Sequence, residues 1–212
     1  MLLELKRIDV PPGQTVLLHE VSWEEFETIL QELGEHRASR LAYDNGTVEI
    51  MTPLPEHEYI KELMGDLVKA LLEELDIEFA TLGSTTFKNQ VMVKGIEPDQ
   101  CFYIRHEHAI RGKRRLDLTI DPPPDLALEV DITSRTHLNI YEALGMRELW
   151  RYSGDQLQIY VLRNGAYVES RTSPTFPGFS PCDMMPQYLE QSRMEGRNRT
   201  MRAFRQWVRT QI

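Results

Sequence analysis

The sequence predicts one domain of the α/β (α+β) class, in which a mixed β-sheet is flanked by helices. Three observations carry this expectation. Two segments show helical apolar spacing, several short segments alternate apolar with polar residues, and no linker divides them, so helices and strands must share one core. Residues 1–192 are expected to form the domain, and a basic helix over 193–212 to pack on it.

Ser22 and Glu25 make a capping box, each side chain serving a backbone N–H of the other residue, and Trp23, Phe26, Ile29, Leu30 and Leu33 then recur at helical spacing. This predicts a first helix over 23–34, ending at Gly34. Residues 40–51 alternate on either side of Asp44-Asn45-Gly46, a turn sequence that predicts a hairpin. Beyond Pro53 and Pro55, the residues Ile60, Leu63, Met64, Leu67, Val68, Leu71, Leu72 and Leu75 form a wide apolar stripe. Such a stripe predicts a long helix, about 20 residues, that covers one face of a sheet.

Strands are expected over 77–82, 85–88, 97–104 and 125–132, with turn residues or proline between them. A short helix follows over 136–144 and stops at Gly145. Residues 148–152 and 156–162 predict two further strands, and Asn164-Gly165 turns the second into a third over 166–171. Pro174, Pro177, Pro181 and Pro186 predict loops leading to the final helix, whose apolar side is Met201, Phe204, Trp207 and Val208.

The chain of 212 residues carries 24 basic and 33 acidic side chains, a net charge of −9. Charge is unevenly placed. From residue 193 onward six arginines stand against Glu195, so this tail is basic and the rest more acidic than the total. Arg111, Lys113, Arg114 and Arg115 form a second basic cluster. An acidic body with local basic patches excludes a protein that coats nucleic acid and allows one that grips phosphates at a patch. No apolar run is long enough to span a membrane, and MLLELKRIDVPPG carries charges where a secretion signal would be apolar. The two cysteines, Cys101 and Cys182, make no disulfide framework or zinc site by themselves. A reduced, cytoplasmic protein is the expectation. Phosphate-binding glycine loops, dinucleotide fingerprints and serine-nucleophile elbows are absent from the sequence.

The chemistry concentrates in Asp125-Leu126-Ala127-Leu128-Glu129-Val130-Asp131-Ile132. With a period of two, Leu126, Leu128, Val130 and Ile132 face one way, and Asp125, Ala127, Glu129 and Asp131 face the other. Two neighbouring carboxylates thus look into one space. On the earlier strand Glu97, Asp99, Cys101 and Tyr103 share a face, so if the strands are neighbours Asp99 and Glu129 converge on a hard cation such as Mg2+ or Mn2+. A wet face of an antiparallel sheet gives the same alternation. Adjacent acids are an unusual choice for such a face, since two charges 4 Å apart repel by about 1 kcal/mol in bulk water and by more when partly buried.

Glu97-Pro98-Asp99, the 30 positions from Asp99 to Glu129, and Glu129-Val130-Asp131 resemble the metal motif of the PD-(D/E)XK nuclease superfamily. The chain is similar, more closely, to the bacterial restriction-endonuclease-type family known as Uma-two. The likeness runs from Trp23 to Trp150. It includes Pro55-Glu56-His57, Lys94-Gly95-Ile96-Glu97-Pro98-Asp99, Pro124 to Val130 followed by Ser134, and Tyr141, Gly145, Glu148 and Trp150.

The resemblance implies a restriction-endonuclease-like fold and an endonuclease that hydrolyses DNA phosphodiesters with Mg2+ or Mn2+. Asp99 and Glu129 would hold the metal with the backbone carbonyl of Val130, and Asp131 would assist. Asp131 stands where the motif has lysine, which removes a cation from the site; Lys88 is the candidate replacement, and Lys61 a second. His57, Arg135, Arg114 and Arg115 are candidates for contact with substrate phosphates, and the arginine-rich C-terminal helix is a further one. Tyr141 and Trp150 read as packing residues. A homodimer, with one site for each strand, is also implied. Two other readings stay open: the same fold without catalysis, binding DNA or a protein, and a carboxylate-pair hydrolase acting on sugars without a metal.

Overall fold

The structure is a computed structural model that describes residues 8–34, 39–83, 85–132 and 136–212. Arg135 and Ser134 lie outside the described residues. The expected α+β class, a mixed sheet with flanking helices, is present, and a second, antiparallel sheet accompanies the mixed one. The first comprises β1 (Thr15–Leu18), β2 (Arg40–Asp44), β3 (Thr47–Met51), β5 (Phe87–Asn89) and β6 (Lys94–Ile96), in the order β1-β3-β2-β6-β5 and antiparallel throughout. The second comprises β4 (Ala80–Gly83), β7 (Gln100–Tyr103), β8 (Leu126–Asp131), β9 (Glu148–Ser153), β10 (Gln156–Arg163) and β11 (Ala166–Ser170), in the order β11-β10-β9-β8-β7-β4. Only β8 and β9 in it are parallel, and α4 (Leu138–Ala143) lies in the crossover between them, as parallel neighbours require.

Of the strand expected over 97–104 only Gln100–Tyr103 forms, and the residues before it connect two sheets. β6 belongs to the first, β7 to the second, and Glu97-Pro98-Asp99 is the connection. Proline has no N–H to give a ladder, so pairing stops where Pro98 stands. The motif therefore sits where the chain crosses from one sheet to the other, with donors from both within reach.

α1 (Trp23–Leu33) carries the expected capping box and buries Phe26 and Ile29 against the β2–β3 hairpin, Phe26 stacking on Tyr43 with centroids 4.6 Å apart. α2 (Pro55–Glu74) lays its stripe over one face of the second sheet, where Leu63, Leu67 and Leu71 pack with Leu126, Leu128 and Val130. α5 (Pro181–Glu195) and α6 (Arg197–Arg209) complete this layer. Residues expected to be proline-rich loop thus form a helix. Pro181 occupies its first turn, where a missing N–H costs nothing, and Met184, Met185, Tyr188 and Leu189 face the core. On the opposite face Ala127, Cys101 and Tyr103 pack with Ile140 and Tyr141 of α4 and with Phe87 and Ile96. α3 (Glu107–Ile110) is one turn in the connection from β7 to β8.

The basic tail is divided between α5, which holds Arg193, and α6. Its arginines largely face acids of this chain: Arg197 pairs with Asp66, Arg205 with Glu73 and Glu74, and Arg209 with Glu74. They bind α6 to α2.

Candidate functional site

β7 and β8 are adjacent and antiparallel, with Gln100 opposite Leu128 and Phe102 opposite Leu126. Continuing that register would set Glu129 opposite Asp99 and, one residue further, Val130 opposite Pro98. The Asp99 side chain serves the Val130 amide instead, its Oδ2 accepting the N–H at 2.9 Å. An extended residue points its N–H and C=O toward the same neighbouring strand, so the Val130 carbonyl also faces the Asp99 side.

Asp99 is 3% exposed. Its Oδ2 also lies 3.0 Å from Nε2 of His57, and its Oδ1 4.0 Å from a guanidinium nitrogen of Arg40. His57 projects from the first turn of α2 and is buried. Burial alone would depress its pKa, but the carboxylates of Asp99 and Glu58 outweigh that and lift it to about 9. Glu58 moves oppositely: the His57 bond, helped by Lys61 and Arg40 against burial, holds its carboxyl down at about 2. His57 thus pairs with a carboxylate of the candidate site from the first turn of α2.

Glu129 lines the same small cavity as Asp99, with Arg40, Glu49, Glu97, Thr136, His137 and Tyr141. Tyr141 donates its hydroxyl to Oε1 of Glu129. Burial, then the negative charge of Asp99, push the Glu129 pKa well above the ordinary carboxylate value, and the Tyr141 bond and Arg40 only partly oppose this. Two acids face one cavity, and one of them resists ionisation. A bound cation would remove that resistance.

The remaining expected residues are distributed around this pair. Asp131 accepts from Thr136, through its N–H at 3.0 Å and its hydroxyl at 2.5 Å, and from Nε of Arg151 at 2.5 Å. It ties β8 to the segment leading into α4 and to β9. Lys88 pairs with Glu27 of α1. Lys61, nearly buried, pairs with Glu58. Lys88 does, however, line a wider cleft of about 660 Å3 with Lys113, Arg114, Arg115 and Arg40. Arg40 and Glu97 border both this cleft and the small cavity, so the basic wall opens beside the acid pair.

Three site residues, Tyr141, His137 and Arg40, were not among those expected. Tyr141 does pack in the core as expected, but its hydroxyl reaches Glu129; tyrosine in place of phenylalanine on that helix was the available signal. Trp150 is buried, and its Nε1 donates to Glu148 at 2.6 Å, a structural bond. His137 meets Glu49 of β3 at 2.8 Å, and Arg40 comes from β2. Both arrive across the sheet boundary, which no local pattern reveals.

Among the described residues no group of three or more His, Cys, Asp and Glu side chains is arranged to hold a metal. The donor set is two carboxylates and a backbone carbonyl. That fits Mg2+, which keeps several waters and is often bound through one or two carboxylates and the substrate's phosphates. The cavity, about 40 Å3, has room for an ion and a few waters at roughly 10–15 Å3 each.

No helix among the described residues is long and apolar enough to cross a membrane. No curated protein matches the chain. A solved structure described as "a putative nuclease belonging to DUF820 from Anabaena variabilis ATCC 29413" is similar, with a TM-score of 0.53, 14% identity, and coverage of 76% of this chain and 91% of that one. At that identity the likeness concerns the fold. The profile of the Uma2 family, described as "Putative restriction endonuclease", matches residues 23–193, and the chain belongs to that family.

Proposed function

We propose that the protein is a divalent-metal-dependent endonuclease that hydrolyses phosphodiester bonds in DNA, with Asp99, Glu129 and the Val130 carbonyl holding Mg2+ or Mn2+. One observation carries the reading: Asp99 and Glu129 line one cavity, and the first is bonded to the peptide N–H of the residue after the second. Membership of the family supports it. When bound, the ion lowers the pKa of a coordinated water and offsets charge on the phosphate.

The chain's own groups do the positioning. Tyr141 fixes one oxygen of Glu129 and leaves the other for a ligand. The Val130 N–H and His57 fix Oδ2 of Asp99, so Oδ1 is the oxygen turned to the cavity. Asp131 holds Thr136, which lines the cavity, and so shapes the site without adding a cation. Arg114 and Arg115 receive phosphates along the cleft, drawing the duplex toward the acid pair against a net charge of −9. A homodimer would present one such site to each strand.

Supercoiled plasmid incubated with Mg2+ or Mn2+ tests this. The wild type nicks it, and Asp99→Ala and Glu129→Ala, both folded, do not; activity retained in both rejects the assignment. The absence of lysine at position 131 favours a second reading, an inactive module of the same fold that binds DNA or a protein. Duplex binding measured beside cleavage in Mn2+ separates the two, because an inactive module binds the duplex without cutting it whether or not it takes the ion.

A further inference from the structure

The described cations around the acid pair differ in how far they are already committed. Lys61 is closed onto Glu58, Lys88 onto Glu27, and Arg151 onto Asp131 at 2.5 Å. Arg40 is different. One guanidinium nitrogen is 3.7 Å from Glu58 and 4.0 Å from Asp99, and another donates to the Pro98 carbonyl at 3.4 Å. The two carboxylate distances exceed hydrogen-bond range, so the fork faces these acids without locking onto either.

Its place is equally specific. The side chain is 12% exposed and borders both the cavity of Asp99 and Glu129 and the wider cleft of Lys113, Arg114 and Arg115. A nucleic-acid backbone running along the cleft toward the acid pair has to pass Arg40. The sequence supports the arrangement, since Arg40 opens β2, whose antiparallel partner β6 ends at Ile96, immediately before Glu97-Pro98-Asp99. The cation is delivered to the acids by the sheet opposite the one that bears Glu129.

A guanidinium presents planar paired donors that match two phosphate oxygens, and it stays charged when partly buried. Near Asp99 and Glu58, in a cavity that Glu129 and Glu97 also line, it offers the phosphate a positive group among acids. We propose that Arg40 is a catalytic residue that grips the non-bridging oxygens of the phosphate lying over Asp99 and Glu129, stabilising the charge that grows there as the bond is cut. This deepens the nuclease reading and rests on it.

The test compares wild type with Arg40→Ala, Arg40→Gln and Arg40→Lys in three measurements: single-turnover cleavage of a duplex oligonucleotide with Mg2+, affinity for that duplex in Ca2+, and calorimetric titration with Mn2+ alone. Removing the guanidinium is expected to slow cleavage about a hundredfold or more, as loss of one donor to a developing charge does, and to change duplex affinity by less than about threefold. Arg40→Lys recovers part of the rate. Mn2+ binds Arg40→Ala about threefold or more tightly than wild type, because a nearby positive charge has been removed.

A residue that only props the fold would show the reverse, with Mn2+ binding weakened and lysine no better than glutamine, and that overturns the proposal. So does cleavage by Arg40→Ala and Arg40→Gln within about threefold of wild type. A wild type that binds Mn2+ but cleaves nothing rejects the nuclease reading and with it a catalytic Arg40; tighter Mn2+ binding by Arg40→Ala would then show only that the guanidinium faces the ion.

Discussion

Oδ2 of Asp99 accepts the N–H of Val130 at 2.9 Å, so a side chain from the sheet crossing completes the ladder that Pro98 interrupts. The carboxylate thus stabilises the native state through an acceptor that asparagine can also provide. Asp99→Ala leaves a buried N–H without a partner, at a cost of about 1–3 kcal/mol. Asp99→Asn removes the same charge and retains an acceptor. Urea denaturation is expected to find the alanine variant less stable than the asparagine variant by about 1 kcal/mol or more, and equal midpoints would remove this bond from the account.

Glu129 has the opposite balance. Its pKa is raised, first by burial and then by Asp99, so above the ordinary carboxylate range this acid destabilises the metal-free fold. Glu129→Gln removes the charge and keeps an oxygen for the Tyr141 hydroxyl. The variant is expected to be more stable than wild type by about 1 kcal/mol in thermal unfolding with a chelator present, the range that relief of a strained functional site commonly yields. Loss of stability would mean that a cation of the protein already balances Glu129.

Much of this arrangement was legible in the sequence, for a local reason. The alternation of Glu129 and Asp131 with Leu128 and Val130 fixes their face wherever β8 lies, and the stripe of α2 fixes which side is apolar. Elsewhere the residues were read by composition and the geometry was missed. Four prolines suggested loop over the first turns of α5, although Pro181 is an ordinary helix start. Glu97 to Ile104 alternates as one strand would, yet strand pairing begins only at Gln100, because Glu97-Pro98-Asp99 is the connection from one sheet to the other. Arg40 and His137 escaped because each reaches the site from an element that only the tertiary fold brings close.

The two basic clusters are expected to behave differently. Arg114 and Arg115 are exposed on the cleft wall, whereas Arg205 and Arg209 pair with Glu73 and Glu74 of α2. Neutralising Arg114 and Arg115 together should weaken duplex binding and reduce the slope of log affinity against log salt by about 1 to 2, roughly one for each phosphate that is no longer neutralised. Neutralising Arg205 and Arg209 should leave the slope unchanged and lower stability only slightly, since solvent screens such surface pairs. Fluorescence anisotropy between 50 and 200 mM salt, about the range over which phosphate binding decides affinity, reads both. A slope that responds only to the α6 variant would move the DNA to the other face.

His137 gives the site a pH dependence whose sign is fixed. Its pKa is raised from the ordinary 6.5, chiefly by the bond to Glu49, with Asp44 and Asp131 adding to it and burial opposing. A histidine raised on folding contributes stability that is complete below pH 6.5 and disappears as pH rises through the folded-state pKa. The stability difference between wild type and His137→Gln should therefore be largest below that pH and shrink above it. The ring is 37% exposed, so solvent screening should keep the difference under about 1 kcal/mol. Urea titrations at intervals from about pH 5 to 9, spanning the range in which histidine changes charge, check it. A difference that grows with pH would show that His137 is held in its neutral form, with the tie between β3 and the α4 approach a plain hydrogen bond.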